Sequence, residues 1–249
     1  TRIERLIPTL STLLEKKARI IVMSHFGRPK GQVVPELTLK PVADALSEVL
    51  GGKSVEFSKD CIGPEAALVV NALQDGEIAV LENLRFHVGE EANAPDFVAE
   101  LAKLGDLYVN DGFSVSHRAH ASTTDIAKHL PSAAGINMQA ELAALEAALD
   151  NPQRPVGAIV GGAKVSSKLD VLSNLVECMD FLVIGGGMAN TFLHALGTDI
   201  GASLCERDLA GTANAIMAKA NDVGCEIVLP SDVVIALKLE AGIATDVVP

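Results

Sequence analysis

The sequence predicts an α/β protein with mostly parallel sheets, divided into two parts by a long helix. Short apolar runs alternate with amphipathic segments, an order of strand, helix, strand, helix that is typical of parallel sheets. Apolar residues make up 49% of the 249 residues and aromatic residues only 3%. The core is therefore expected to consist of Ala, Val, Leu and Ile, as in sheets covered by helices.

The first half of the chain predicts an opening helix and then alternating strands and helices. Apolar residues from Ile3 to Leu14 follow helical spacing. Buried strands are expected at residues 19–23, 54–57, 77–81 and 106–109. Helices are expected at residues 40–50, 64–73 and 94–104.

Residues 138–150 predict a long helix with Leu142, Leu145 and Leu149 on one face. Asn151-Pro152 ends it, because the residue before proline avoids the α region. Strands are then expected at 156–160, 181–184 and 226–229, with a helix marked by Leu169, Leu172 and Val176. No Gly/Ser-rich linker is present. We therefore predict a first domain at 1–136, a connecting helix at 137–152 and a second domain at 153–249.

Composition excludes several classes of function. The net charge of −12 and the pI of about 4.9 argue against nucleic-acid binding and against anionic membranes, since both need a basic surface. No apolar run approaches the about 20 residues of a membrane span. The four cysteines show no CxxC spacing, so free thiols in a reducing cytoplasm are expected: Cys61, Cys178, Cys205 and Cys225.

Five unusual motifs each follow directly on a predicted strand: SHFGRPKG, ENLRFHVGEE, NDGFSVSHRAHAS, GGAKVSSK and GGGMANTF. In open α/β sheets, ligands bind beyond the carboxyl ends of the strands. The motifs are therefore expected to meet at one edge of the sheet in each domain.

The first three motifs are rich in arginine and histidine: His25, Arg28, Arg85, His117, Arg118 and His120. Arginine presents a planar fork of donors that suits carboxylate and phosphate groups. Arginines at neighbouring strand ends predict a pocket for a small molecule with several negative charges. Each one taken singly could equally be a surface residue in a salt bridge.

The last two motifs combine glycine with lysine. Lys164 and Lys168 follow two glycines at a predicted helix start, where anions are favoured, and their spacing predicts one helix face. GGAKVSSK is not a Walker A loop, because Ala163 stands where the lysine should be. GGGMANTF is not a dinucleotide fingerprint, because Asn190 occupies the third glycine position. A tight turn without a ligand is the alternative for either motif.

No metal site or nucleophile is predicted. No nearby Cys or carboxylate completes a metal set with His117 and His120, and Arg118 between them would repel a cation. Gly-x-Ser-x-Gly does not occur, and the cysteines are expected to pack as small apolar side chains. One anion site rich in Arg and His and another rich in Gly and Lys favour phosphoryl transfer between two anionic substrates.

SHFGRP, LENLRFH, ND-F-x3-HRAH-S, VGGAKVSSK and IGGGMANTF, in this order, resemble the motifs of the phosphoglycerate kinase family, in its bacterial type. The resemblance covers essentially the whole chain. It implies two Rossmann-like domains with parallel sheets in three αβα layers, joined by a long interdomain helix. The first domain would bind 3-phosphoglycerate or 1,3-bisphosphoglycerate and the second MgADP or MgATP, and the domains would close about a hinge.

The resemblance also implies roles for individual residues. Arg2 and Lys164 match catalytic positions. Substrate binding is implied for Arg2, His25, Phe26, Gly27, Arg28, Arg85 and Arg118. Nucleotide binding is implied for Gly162, Ala163, Lys164, Lys168, Gly186 and Gly187. His117 and His120 either line the pocket or pack behind it, whereas His129 and His194 are expected to be structural.

The chain departs from the family pattern at both ends. It begins after the strand that carries an R-V-D-x-N motif, and it stops before a nucleotide-binding Glu and a GGGDT loop whose Asp contacts the metal–nucleotide complex. We therefore expect an incomplete second domain, Mg²⁺ bound through residues outside this chain, and incomplete catalysis. The implied activity is that of a monomeric glycolytic ATP:3-phosphoglycerate 1-phosphotransferase. The alternatives are a non-catalytic anion-binding remnant and a nicotinamide-dependent dehydrogenase.

Overall fold

The computed structural model describes residues 3–150, 152–238 and 240–249. The chain forms two compact units, Thr1–Ala144 and Leu145–Pro249. The division falls within a long helix, α7 (Ile136–Leu149), which confirms the helix predicted at 138–150. The assignment of 1–136, 137–152 and 153–249 to two domains and a connecting helix stays a prediction.

A three-stranded parallel sheet forms the centre of the first unit. Its strands are β1 (Ile20–Val22), β2 (Val55–Phe57) and β3 (Ile78–Val80), in the order β1-β3-β2. All three residues of β3 are fully buried, because this strand pairs on both sides and is covered on both faces. This explains why its sequence is a continuous apolar run rather than an alternating one.

Helices cover both faces of this sheet: α1 (Ile7–Glu15), α2 (Lys40–Val49), α3 (Gly63–Ala72), α4 (Val88–Glu91), α5 (Pro95–Ala102) and α6 (Ile126–His129). Successive strand residues point to opposite faces. Ile20 packs with Leu10 of α1 and Leu46 of α2. Ile21 packs against the cluster that contains Ala66 of α3 and Phe97 of α5. This unit therefore has three layers.

The strand β4 (Tyr108–Asn110) is the last one predicted in the first half of the chain. It pairs in parallel with β5 (Ser132–Ala134). The sequence analysis expected the first three motifs to follow strands of one sheet, but in the described part of the chain β4 lies in a sheet separate from β1 and β3, and β5 was not predicted. Tyr108 packs in one cluster with Ala121 and Ile126. These residues lie on the segment that leads to β5, so β5 is brought alongside β4.

The second unit contains a parallel sheet in the order β6-β7-β8, followed by a hairpin that the sequence pattern did not predict. The sheet strands are β6 (Gly157–Gly161), β7 (Phe181–Gly185) and β8 (Glu226–Val228). The hairpin strands β9 (Val233–Ile235) and β10 (Asp246–Val248) pair antiparallel. The helices are α8 (Leu169–Cys178), α9 (Gly186–Ala195) and α10 (Ala210–Val223).

One apolar cluster holds the second unit together. Leu182 and Ile184 of β7 pack there with Leu172 of α8 and Phe192 of α9. On the other face of the sheet Ile159 is 84% exposed. No helix of the described residues is long and apolar enough to cross a membrane.

Candidate functional site: a basic cluster and two glycine turns

The loop after β1 carries four of the predicted substrate-binding residues, His25 to Arg28. Gly27 has a φ of +65°, and a Cβ at this position would lie 2.8 Å from the Leu37 side chain, so the turn requires glycine. Phe26 is 54% exposed. Arg28 is also exposed and forms no ion pair with any described residue, which leaves its guanidinium available to an anion.

Asn83, three residues after the end of β3, connects the loop that follows β3 to the loop that follows β1 through hydrogen bonds. Its side chain is fully buried. Nδ2 donates to the Phe26 carbonyl at 2.8 Å and to the Leu37 carbonyl at 2.9 Å, and Oδ1 accepts from the Arg85 backbone N–H at 3.1 Å. Hydrogen bonds between the Asn83 side chain and backbone groups therefore hold the two loops together, and the motif sequences alone do not predict these bonds.

Arg85 is buried beneath the loop that contains Gly27, with only 3% of its surface exposed. Its Nη1 donates to the Gly27 carbonyl at 2.9 Å, and its Nε lies 3.2 Å from Glu91 Oε1. Its Nη2 is buried without a hydrogen-bond partner among the described residues. A buried cationic donor without a partner is costly, and such groups occur at functional sites.

Arg118 and its flanking histidines follow β4 and a short turn. Arg118 Nε donates to His117 Nε2 at 3.4 Å, and no described carboxylate pairs with the guanidinium. His117 is exposed, whereas His120 is half-buried with its Nδ1 3.8 Å from Glu90 Oε1. Arg118 thus carries an uncompensated positive charge at the surface of the first unit.

His25 experiences the charges of several of these groups. Burial, and then the positive charges of Arg85, Arg118 and His120, lower the pKa of His25 to about 4. His25 is therefore neutral at pH 7, and its ring can accept or donate a hydrogen bond there. We name His25, Arg85, Arg118 and His120 the basic cluster. It forms although β4 is not hydrogen-bonded to β1 or β3.

A second set of polar groups lies behind the turn that carries Arg85, and the sequence analysis missed it. His87 Nε2 lies 2.7 Å from Asp60 Oδ1, and the Cys61 thiol is close enough for the three donor atoms to lie within 4.8 Å of one another. Such a mixed set could hold a metal ion. However, the histidine and carboxylate already bond each other, and the thiol is buried in the apolar core.

In the second unit, the GGAKVSSK motif forms the turn between β6 and α8. Gly162 has a φ of +157°, Ala163 and Lys164 are exposed, and Val165 is fully buried. The Ser166 backbone N–H and hydroxyl donate to Glu206 at 3.0 and 2.6 Å. These hydrogen bonds hold the pKa of Glu206 below its usual value.

The prediction that Lys164 and Lys168 share one helix face is wrong. Lys164 precedes a 3-10 turn (Ser166–Lys168), and α8 begins only at Leu169. Lys168, directly before α8, has a φ of −137° and a ψ of 17°, so the helix does not extend back through it. Lys168 Nζ folds back and donates to the Gly161 carbonyl at 3.1 Å, whereas Lys164 has no ion pair with a described residue.

The GGGMANTF motif forms the turn between β7 and α9, and it packs directly on the first turn. Gly186 has a φ of +67°, and a Cβ there would lie 3.1 Å from the Gly162 carbonyl oxygen. A Cβ on Gly187 would lie 3.2 Å from the Ala163 carbonyl oxygen. Met188 N–H donates to the Gly162 carbonyl at 2.8 Å. The packing of one turn on the other therefore explains why glycine occurs at Gly186 and Gly187, even without a bound ligand.

Arg2, predicted as a catalytic and substrate-binding residue, lies outside the described residues. The remaining predicted positions fall into the two groups described above. His25, Arg85 and Arg118 come together in the basic cluster, with Phe26 and Gly27 bonded to its neighbours. Gly162, Ala163, Gly186 and Gly187 form the paired turns.

Comparison with known proteins places these features in one family. A sequence model of the phosphoglycerate kinase family matches residues 1–248. The curated phosphoglycerate kinase of Sinorhizobium medicae is 59% identical over 248 residues, and that of Caulobacter vibrioides is 57% identical over 247 residues. Each alignment spans at least 99% of this chain and 62% of the relative.

Solved structures give the same result. Phosphoglycerate kinase from Coxiella burnetii matches with a TM-score of 0.80 and 38% identity, covering 99% of this chain and 62% of that one. Phosphoglycerate kinase from Pyrococcus horikoshii matches with a TM-score of 0.75 and 30% identity, covering 94% and 60%. The chain thus spans about 62% of the length of the curated relatives it matches.

Proposed function

Because the chain belongs to the phosphoglycerate kinase family, we propose that it serves reversible phosphoryl transfer between 1,3-bisphosphoglycerate with ADP and 3-phosphoglycerate with ATP. The observation that carries this proposal is the basic cluster. Arg85 holds a buried Nη2 without a partner, and Arg118 has no carboxylate beside it. Guanidinium donors without a protein partner near His25 suit a small ligand with carboxylate and phosphate groups.

The first unit is the proposed site for the phosphoglycerate. Arg118 and Arg28 would bind its anionic groups, and the free Nη2 of Arg85 would gain the partner that it lacks. His25, neutral at pH 7, would contribute a hydrogen bond rather than a charge. Phe26 and Gly27 would shape the rim of this site. Arg2 would add a further charge near the transferring group, as the resemblance implies.

The second unit is the proposed site for the nucleotide. Lys164 is exposed and unpaired at the turn after β6, so its ammonium would face phosphate groups. Lys168 is already bonded to the Gly161 carbonyl, and it would also approach the phosphates. Gly162, Ala163, Gly186 and Gly187 would let the ligand approach the backbone, as the family resemblance implies.

Charge and alignment would account for catalysis. A phosphoryl group in transfer spreads negative charge over its oxygens, and cationic donors stabilise this charge without a general base. The proposal assigns this role to Lys164 and Arg2.

Mg²⁺ is expected to arrive with the nucleotide. The carboxylate at the turn after β6 is that of Glu206, and both of its oxygens are bonded to Ser166. The described residues of the two turns therefore do not form a magnesium site. The proposal also includes a monomeric protein acting in the cytoplasm, and the four free cysteines agree with a reducing compartment.

Titration calorimetry with 3-phosphoglycerate and with ADP tests the proposal, followed by an assay of ATP-dependent phosphorylation of 3-phosphoglycerate. We expect both ligands to bind. Binding without turnover would favour the anion-binding remnant. Binding of neither ligand would contradict the proposal, and binding of NAD would favour the dehydrogenase.

A further inference from the structure

Glu90, on α4, is a buried carboxylate for which neither the motifs nor the family resemblance supplies a role. Only 1% of its surface is exposed, and together with Arg85 it accounts for the buried charged side chains of the described residues. A carboxylate removed from water costs several kcal/mol unless hydrogen bonds and charges compensate it. Its partners therefore indicate why it is there.

The Glu90 carboxylate contacts one short segment about 30 residues further along the chain, Ser122 and His120. Oε2 accepts from the Ser122 backbone N–H at 3.1 Å, and Oε1 accepts from the Ser122 hydroxyl at 2.6 Å. Nδ1 of His120 lies 3.8 Å from Oε1. The carboxylate thus accepts hydrogen bonds from both donors of Ser122 and lies near His120 of the basic cluster.

Ser122 lies in a segment that is bonded internally to Arg118. Residues Ala121–Asp125 form a π-helix, a rare element that often marks functional sites. The Thr123 hydroxyl donates to the Arg118 carbonyl at 2.7 Å and accepts from the His120 backbone N–H at 3.3 Å. Holding Ser122 therefore also holds Arg118 and His120.

The Ser122 carbonyl is held as well, because the Tyr108 hydroxyl donates to it at 2.8 Å. Ser122 is thus fixed at three polar groups, two of them by Glu90. Among the described residues, the Arg118 guanidinium bonds only to the neighbouring His117, so other side chains do not fix its position. The position of its guanidinium depends on the backbone that Ser122 anchors.

We propose that Glu90 is a positioning residue, which holds Ser122 so that Arg118 and His120 face the anionic phosphoglycerate. The inference rests on the proposed function. If Glu90 acted only through its negative charge, removing it would strengthen anion binding. The reason is that a carboxylate beside the basic cluster lowers the positive potential there and so weakens anion binding.

Two substitutions of Glu90 separate hydrogen-bond acceptance, charge and volume. Glu90→Met keeps similar volume but removes both the charge and the acceptors. Glu90→Gln removes the charge but retains a carbonyl oxygen for the Ser122 N–H, and the Ser122 hydroxyl can turn to accept from the amide. Glu100→Met is the matched control, because Glu100 is a half-exposed residue of α5 paired with Lys103.

The measurements are amide hydrogen exchange of residues 118–125 without ligand and 3-phosphoglycerate affinity by calorimetry. We expect Glu90→Met to speed this exchange and to weaken binding about tenfold, the order expected for a lost charged hydrogen bond. Glu90→Gln should stay within about threefold of the wild type, and Glu100→Met should match it. Wild-type affinity in Glu90→Met, or tighter binding in both Glu90 variants, would overturn the proposal.

Further arms of the experiment cover two other outcomes. If Glu90→Met does not fold, Ser122→Ala removes only the hydroxyl donor, and it should give faster exchange and about threefold weaker binding. Wild-type behaviour of Ser122→Ala would then overturn the proposal. If the wild type does not bind 3-phosphoglycerate, the proposed function fails. Hydrogen exchange alone then decides. Faster exchange of residues 118–125 in Glu90→Met, with wild-type exchange in Glu90→Gln, supports the positioning role, and unchanged exchange in Glu90→Met refutes it.

Discussion

Arg85 and Glu90 are both buried, and they differ in how far their polar atoms are satisfied. Both oxygens of Glu90 accept hydrogen bonds from Ser122. Arg85 keeps a buried Nη2 without a partner in the described part of the chain. A satisfied buried charge holds structure, whereas an unsatisfied one is stabilised only when a ligand supplies the missing partner. The two residues therefore fit complementary roles in one site.

Arg118→Ala should weaken 3-phosphoglycerate binding by about 1.5–3 kcal/mol, because it removes a charged donor that no carboxylate of the described residues compensates. Titration calorimetry measures the change. Arg19→Ala is the control, since Arg19 is exposed and precedes β1, at the opposite end of that strand from the basic cluster. Equal affinity in folded Arg118→Ala and in the wild type would remove Arg118 from the site.

Tyr108 provides a test of burial next to Glu90. It is the only tyrosine of the chain, and burial, followed by the negative charge of Glu90, raises its pKa to about 12. The pKa in the unfolded chain is about 10. The associated stability is thus fully present below about pH 10 and is lost as the pH rises towards 12.

Absorbance at 295 nm follows the ionisation of this single side chain. The folded protein should titrate about two pH units above the same chain in denaturant. A midpoint near 10 in the folded protein would show that Tyr108 is accessible to water, and the hydrogen bond to Ser122 would then lose its support.

At the scale of elements, loops decide where the polar groups lie. The strands β1 and β3 supply the start of two motifs, but Asn83 sets how the following loops meet. In the second unit, the turn after β7 packs on the turn after β6, so that each determines the conformation of the other. The glycines there have a structural requirement whether or not a nucleotide binds.

Gly186→Ala should therefore destabilise the second unit more than a methyl group in open space does. Both Gly186 and Gly224 have positive φ, but only at Gly186 would a Cβ meet the backbone, 3.1 Å from the Gly162 carbonyl oxygen. Gly224→Ala, the control, should cost about 1 kcal/mol from backbone strain alone. Urea unfolding followed by far-UV circular dichroism compares the variants, and equal losses would count against turn-on-turn packing.

At the scale of the whole molecule, an acidic protein can still offer positively charged groups to a small anion. The net charge is −12, yet Arg28, Arg118 and Lys164 form no ion pair with a described residue. Local potential rather than net charge decides where a small anion binds. Each compact unit carries one such region, the basic cluster in the first and the paired glycine turns in the second.

Each ligand should therefore protect its own unit. Tyr108 fluorescence reports on the first unit only, because the chain has one tyrosine and no tryptophan. At 100-fold excess over its dissociation constant, 3-phosphoglycerate should stabilise the tyrosine-detected transition by about 2.7 kcal/mol. ADP should stabilise the part of the unfolding that circular dichroism detects and tyrosine fluorescence does not. NAD should stabilise neither transition. A tyrosine-detected transition that 3-phosphoglycerate leaves unmoved would place the anion site elsewhere.

The sequence by itself determined the alternation of strands and helices and the types of residue at the strand ends. Each predicted strand from 19–23 to 226–229 overlaps an observed strand, because apolar patterns are local and a buried parallel strand needs a continuous apolar run. The strand β5 and the hairpin strands β9 and β10 were not predicted, and most of their residues are exposed, unlike the buried strands that an apolar run marks.

Only the tertiary structure decided which polar groups meet. The bond from Asn83 to Phe26, the grip of Glu90 on Ser122 and the pairing of β4 with β5 each join residues that are more than 20 positions apart. It also separated Lys164 from Lys168, because the backbone at Lys168 is not helical and α8 begins only at Leu169. Sequence spacing records contacts along one element, whereas these contacts arise where different elements pack together.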